Sequence, residues 1–213
     1  MQHTIEIVSD VVCPWCYVGK RRLEKALRSV ELPFRALIVW RPFQLHPDLP
    51  REGMDRRAQR AAKFGSWGAA RERDAILVRA GAEEGIGFAF EKILRTPNTF
   101  TAHRLIWLSQ REGVQDEVAE ALFAGYFVDG LDIGRSEVLV SIAESVGLNG
   151  EKVTNFLAGN EGVIEVQQEE AEFRLKGVSA VPLFLFNGRC ALGGAQPPGR
   201  MTQAIERAFR DHD

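Results

Sequence analysis

Cysteine is scarce in this chain, with three in 213 residues. That is too few for a disulfide-stapled secreted scaffold, and a chain of this length buries enough surface to fold without staples. The four histidines, His3, His46, His103 and His212, are scattered, and no second Cys-x-x-Cys occurs. A structural zinc site wants four ligands, so neither a metal nor an organic cofactor is expected. An excess of one charge is missing too. Lys and Arg number 27 against 29 Asp and Glu, interspersed, for a net charge of −2. Neither nucleic acid nor a membrane surface is an expected partner. No run of about 18 apolar residues suggests a membrane-spanning helix. No basic stretch followed by an apolar one precedes the first strand pattern, so the expected setting is cytoplasmic. Internal repeats and low-complexity segments are absent.

What is present centres on Cys13-Pro14-Trp15-Cys16. The alternating Thr4-Ile5-Glu6-Ile7-Val8 before it reads as a strand. The segment from Lys20 to Leu27 after it has apolar residues near helical spacing. Two thiols three positions apart at a strand-to-helix junction are a redox arrangement. On the first helical turn they lie close enough to bridge. Free backbone N–H groups at the helix start favour a thiolate at Cys13. Cys13 is expected to be the exposed nucleophile and Cys16 the more buried, less acidic partner. Pro14 suits the first turn, where its missing N–H has no intrahelical partner anyway. Trp15 reads as an exposed shield or docking surface. The rival readings are two metal ligands without companions, or two core cysteines that happen to be neighbours.

Further along, Pro33 opens an alternating strand, Phe34 to Trp40, and residues 41–50 with three prolines read as irregular. Residues 54–160 read as helices with no strand signal. Asn98 or Thr99 caps one helix, which Gly113 closes; another runs from Glu161 to Lys176, with Gly177 as its C′ residue. Strand character returns at Val181 to Phe186. Asn187-Gly188 then signals a hairpin into Arg189 to Gly193, and Pro197-Pro198 starts a last helix. Residues 1–53 and 161–213 therefore form one α/β unit, and residues 54–160 a helical subdomain inserted between its second and third strands, one wall of a cleft at Cys13.

This order, with four local patterns, resembles the DsbA-like oxidoreductases, and within them the FrnE-like branch. The patterns are Ser9 to Lys20 around the cysteines, Trp40 to Leu45, Asn98-Thr99 with Ala102 to Leu105, and Gly177 to Phe184 with Gly193 to Gln196. The resemblance implies an α/β thioredoxin fold with a large helical insertion, and exchange of disulfides on protein or small-thiol substrates, glutathione among them. It implies a cis Val181-Pro182 bond facing the cysteines, with the Val181 backbone free to pair with an extended substrate. It also implies that Asn98 and His103 line the cleft. Without it, Asn98 is a helix cap and His103 a polar position on the same helix.

Other residues carry two readings. Lys20 either assists a thiolate or points to solvent. Asp10 is a turn residue or a buried proton relay for Cys16. Cys190 is a small buried hydrophobe or a secondary redox partner. Phe123, Tyr126 and Phe127 recur at helical spacing and read as core. The Arg-rich stretch Arg51 to Arg60 is a solvated face or a dock for acidic substrates. Two other functions compete with exchange. One is a glutathione-dependent isomerase or transferase of the hydroxychromene-carboxylate isomerase or kappa-class type, which resembles this architecture but carries a hydroxyl where this chain has Cys13. The other is a holdase that uses the cleft for binding.

Overall fold

In a computed structural model the described residues are 3–210 except 33, 35 and 189, with the side chain of residue 210 also excluded. The expected roles of Pro33, Arg35 and Arg189, like His212, lie outside them. Strand β1 (Thr4–Ser9) leads into helix α1 (Pro14–Ser29), followed by β2 (Leu37–Pro42). The chain then passes through β3 (Met54–Asp55), α2 (Arg56–Phe64), α3 (Trp67–Glu83), β4 (Arg95–Thr96), α4 (Phe100–Arg111) and α5 (Gln115–Ala124). After α5 comes a π-helical turn (Gly125–Asp129), then α6 (Ser136–Ser145), α7 (Gly150–Ala158) and α8 (Val163–Leu175). It closes with β5 (Leu183–Phe186), β6 (Cys190–Gly193) and α9 (Pro198–Arg210).

The central sheet has the order β2-β1-β5-β6, with β1 parallel to β2 and antiparallel to β5. Its side chains alternate between two apolar layers, as the pleat demands. Ile5, Ile7, Phe184 and Phe186 face one cluster together with α1 and α9 residues such as Leu23, Ala26 and Ile205. Val8 faces the other, with Phe43 and Phe173 of α8. All four strands come from outside residues 54–160, so the helical insertion between the second and third strands of this sheet is present. Asn187 and Gly188 both take positive φ, as the hairpin signal requires. Gly177 has φ 84° and donates to Arg174 O, while Val178 donates to Phe173 O, which closes α8 as expected.

Several expectations need correction. β2 starts at Leu37 and continues through Arg41 and Pro42, because Val8 and Ser9 offer parallel partners that local composition does not reveal. β5 starts at Leu183 rather than Val181. The Val114–Phe127 helix is α5 with a π turn. Residues 54–160 are not free of strand: Met54 and Asp55 pair with Thr96 and Arg95. A two-residue ladder is too short to leave an alternating pattern. It also pins α2, whose start is capped by Asp55 accepting from Ala58 N at 2.8 Å. The Arg-rich stretch is not simply a solvated face. Arg56 is buried and Arg60 half-buried, both turned onto Asp74 of α3. Lys20 follows neither of its two readings. It is 4% exposed, bound to Glu24, to Asp116 at 3.4 Å and to Glu120 at 3.1 Å. That cluster fastens α1 to α5. Tyr17 adds to it, stacked on Phe123 and donating to Glu120 at 2.7 Å. Phe123, Tyr126 and Phe127 are core, as expected.

Gly53 makes the ladder possible. Its φ is +69°, and a Cβ there would sit 2.5 Å from Thr96 O and 2.9 Å from Pro97 Cα. Both objections are to backbone, which cannot move aside cheaply. Gly53→Ala is therefore expected to cost about 2 kcal/mol or more. Urea unfolding followed by circular dichroism checks this, and an unchanged midpoint would show that the ladder is not constrained there.

Candidate active site

Cys13 is the N-cap residue of α1, with extended backbone (φ −92°, ψ 109°), and Pro14 is the first residue of the helix. The helix is thus one residue shorter at its start than a first-turn Cys13 requires. The Cys13 side chain makes no capping bond. Its Sγ instead approaches Val181 O at 3.7 Å. Cys16 N donates to Cys13 O at 3.0 Å. The two cysteines are near one another, with both thiols free.

The Val181–Pro182 peptide is cis, and Pro182 is buried. Gly19 lets α1 close onto it: a Cβ there would lie 3.0 Å from Phe184 Cζ and 3.1 Å from Pro182 Cγ. A small residue one turn beyond the cysteines thus sets how closely Val181 can face Cys13. Trp15 is 39% exposed, the one large apolar side chain of the Cys-Pro-Trp-Cys motif open to solvent.

Burial separates the thiols less than expected. Cys13 is 5% exposed and Cys16 fully buried. The expectation of an exposed Cys13 fails because Val181, from the far end of the chain, covers it. Cys16 is the more buried of the two, as expected, and is held as a thiol. Burial pushes its thiol well above the usual range, the Cys13 sulfur adds to this, and the Ser9 hydroxyl and Asp10 backbone oppose it.

Asp10 is fully buried beneath the helix start. Its carbonyl accepts from Cys13 N at 2.9 Å, and its Oδ2 accepts from Leu45 N at 2.7 Å. His103 of α4, itself 3% exposed, places Nε2 3.3 Å from Asp10 Oδ1. The angle does not make a hydrogen bond, and both atoms are buried without a hydrogen-bond partner among the described residues. His103 therefore reaches the site from behind, through Asp10, rather than across a cleft. Asn98 is half-buried and occupied at both ends: Nδ2 donates to Leu49 O at 2.8 Å and Oδ1 accepts from Phe100 N at 3.0 Å. It fastens the start of α4 to the loop after β2. Thr99 is the N-cap residue but makes no side-chain bond.

Two anchors escaped the sequence reading. Glu170 of α8 accepts from Gln44 N and Gln44 Nε2, both at 2.8 Å, and so fixes the loop that carries Leu45. Arg104 is buried and donates to the carbonyls of Phe156, Leu157, Gly159 and Glu161, closing the C-terminal end of α7. A charged residue beside the His103 position was the available signal, but its acceptors are carbonyls that no side-chain pattern marks. Cys190 is half-buried on β6 opposite Phe186.

A paired-cysteine site at the start of a helix, faced by a cis-proline loop on a four-stranded sheet, defines a thioredoxin-fold redox protein. The sequence matches the DSBA-like thioredoxin domain over residues 4–206. The chain belongs to that family, and its redox character is that of a DsbA-like oxidoreductase. A probable DsbA oxidoreductase, SCO1869 from Streptomyces coelicolor, is 31% identical, with all of this chain and 92% of the other aligned and a TM-score of 0.92. The Bacillus subtilis (strain 168) protein YwbO, uncharacterized, is 25% identical over 194 residues, 90% of each chain. The cytosolic disulfide reductase DsbM of Pseudomonas aeruginosa is similar in fold, with 17% identity, a TM-score of 0.69 and coverage of 97% of this chain and 98% of that one.

The raised pKa of Cys16 has a direct consequence. At neutral pH it stays a thiol, and its reactive thiolate appears only as pH passes above the usual thiol range. In a Cys190→Ser background, iodoacetamide at pH 7 is expected to modify Cys13 about tenfold or more faster than Cys16, whose thiol is both fully buried and held protonated. The gap should narrow as pH rises. Peptide mass spectrometry against time reads both rates, and equal rates at pH 7 would refute the assignment.

Proposed function

We propose that the protein is a thiol–disulfide oxidoreductase or isomerase in which Cys13 is the nucleophile and Cys16 the resolving thiol. The observation that carries the reading is the asymmetry of the pair: Cys13 at the helix start against Val181 O, Cys16 one turn deeper, fully buried and held as a thiol. The Cys13 thiolate attacks one sulfur of a substrate disulfide. The other substrate sulfur leaves as a thiolate and takes up a proton. Cys16 then loses its proton and attacks the Cys13 sulfur, which releases the second substrate thiol. The protein ends with a Cys13–Cys16 disulfide, and the substrate has gained two electrons. The reverse sequence oxidises a dithiol.

Pro14, Trp15, Val181 and Pro182 form the surface on which the substrate lies. An extended substrate segment pairs with the Val181 backbone in place of the Cys13 thiol. Asn98 and His103 serve this surface by holding α4 and Asp10 in position. Residues 54–160 act as an inserted helical subdomain on the 1–53 and 161–213 unit, closing one side of the cleft. Asp10, the buried carboxylate at the site, accepts the Cys16 proton during resolution and returns it to the leaving thiolate.

The substrates are protein or small-thiol disulfides, with glutathione among them; DsbM of P. aeruginosa has a structure with GSH. The four sequence patterns support placement in the FrnE-like branch. A cytoplasmic setting fits a chain with no disulfide framework and a fold shared with a cytosolic reductase. A thiol at position 13, rather than a hydroxyl, favours exchange over glutathione-dependent isomerisation or transfer.

Two substitutions separate the roles. Cys13→Ser is expected to reduce insulin reduction to the uncatalysed rate, since no nucleophile remains. Cys16→Ser should still attack but accumulate a mixed disulfide, visible by mass and removed by dithiothreitol. Normal turnover by Cys16→Ser, or conjugation of glutathione to an electrophile by the native protein without disulfide exchange, would overturn the reading. Asp10→Asn should slow resolution more at pH 7 than at pH 9, where Cys16 ionises more readily unaided. Stopped-flow decay of the mixed disulfide measures this, and a pH-independent effect would reduce Asp10 to a structural role.

A further inference from the structure

Beside the cysteines lies a cavity of about 80 Å³. Val12 and Pro14, the residues on either side of Cys13, form part of its lining, so the cavity adjoins the segment that carries Cys13. Phe90 and Phe127 give it an apolar wall. The rest of its lining includes three cations, Arg56, Arg60 and Lys63, and no carboxylate, though Asp10 exerts a pull on Lys63 and His46. Arg56 and Arg60 share a single carboxylate, Asp74. Lys63, at the exposed rim, has no carboxylate partner among the described residues. Arg60 Nε is buried without an acceptor among the described residues, a donor whose desolvation is not offset by a hydrogen bond there.

The titration behaviour of the group agrees with an excess of positive charge. Burial, and then the charge of Arg60, lowers the Lys63 ammonium below its ordinary value. Burial lowers Arg60, with Arg56 and Arg73 acting in the same direction against the pull of Asp74. His46 also lines the cavity and is lowered by burial, then by Lys63 and Arg60, with Asp10 opposing. Gln59 Nε2 lies 3.2 Å from His46 Nε2, which suits a neutral imidazole accepting there. Each of these shifts is relieved by one anion placed among the three cations. The space suits a carboxylate group and little more.

We infer that this cavity is an anion subsite, and that it selects disulfide substrates carrying a carboxylate close to the sulfur that Cys13 attacks. The inference rests on the exchange reading above and narrows its substrate class. The carboxylate accepts hydrogen bonds from Arg60 Nε and Lys63 Nζ, while the chain of the substrate passes over Pro14 to the sulfur. Charge-assisted bonds in a partly desolvated site are strong enough to set preference.

The test uses the reduced protein as sole reductant, so each reaction converts one disulfide and the Cys13/Cys16 dithiol into two thiols and a protein disulfide. Three small disulfides of similar size serve as probes: 3,3′-dithiodipropionate, bis(2-hydroxyethyl) disulfide and cystamine. Each rate is divided by that of the same probe with dithiothreitol, which removes intrinsic reactivity. The expected order is anionic, neutral, cationic, with the first about tenfold or more above the second at low salt. That ratio should fall towards one in Lys63→Ala, persist in Lys63→Arg, and shrink as salt is added. Equal normalised rates for the anionic and neutral probes, or a preference that survives Lys63→Ala, would overturn the subsite while leaving exchange intact. If none of the probes oxidises the dithiol, the exchange reading itself fails and the subsite with it.

Discussion

Burying a carboxylate is costly, and a protein does it only where the group's hydrogen bonds hold something in place. Asp10 is fully buried where four segments meet. Its carbonyl takes the first N–H of the redox helix, its Oδ2 takes the backbone N–H of Leu45, and its Oδ1 faces His103 of α4. The end of β1, the start of α1, the loop after β2 and α4 of the insertion all meet at this one residue. The second layer of anchors then follows. Glu170 holds Gln44 from α8, and Asn98 holds the loop at Leu49. The cysteines owe their geometry to this arrangement, since a thiol at a helix N-cap is only as well placed as the residues that fix the helix start.

Electrostatics elsewhere in the molecule follow two patterns that differ in purpose. On the far side of α1, two cations, Lys20 and Arg21, meet three carboxylates, Glu24, Glu120 and Asp116. Such a cluster fastens α1 to α5. On the α2 side, three cations meet one carboxylate, and the imbalance opens beside Cys13. An excess of positive charge next to the site is what an anionic substrate group would require.

Much of this could be read in the residues themselves. Cys13-x-x-Cys16 between a strand pattern and a helix pattern located the chemistry, and Asn187-Gly188 and Gly177 located their turns. These are local signals, settled by backbone preferences within a few residues. What stayed illegible depends on distant partners. Pro42 belongs to a strand because β1 offers it a register. Lys20 is buried because Asp116 and Glu120 arrive from another helix. Cys13 is covered because Val181 comes over it. Asp10 was visible as a candidate, but its burial was not, because a strand-end aspartate looks the same whether a helix such as α4 packs on it or not.

The strand order carries a consequence for the birth of the molecule. β1 is central, yet one of its two neighbours, β5, comes from near the chain's other end; Thr4 N bonds Asn187 Oδ1 across 183 positions. During synthesis the redox helix and its dithiol leave the ribosome long before the segment that shields them exists. Through that interval β1 has only β2 beside it, and Val181 is not there to occupy the Cys13 thiol. A nascent chain of this kind carries an unguarded, reactive cysteine pair and an open sheet edge until its last fifth emerges. Long-range closure of this sort is slow compared with local helix formation. Until then the Cys13 thiol lacks the Val181 carbonyl that it meets in the folded chain.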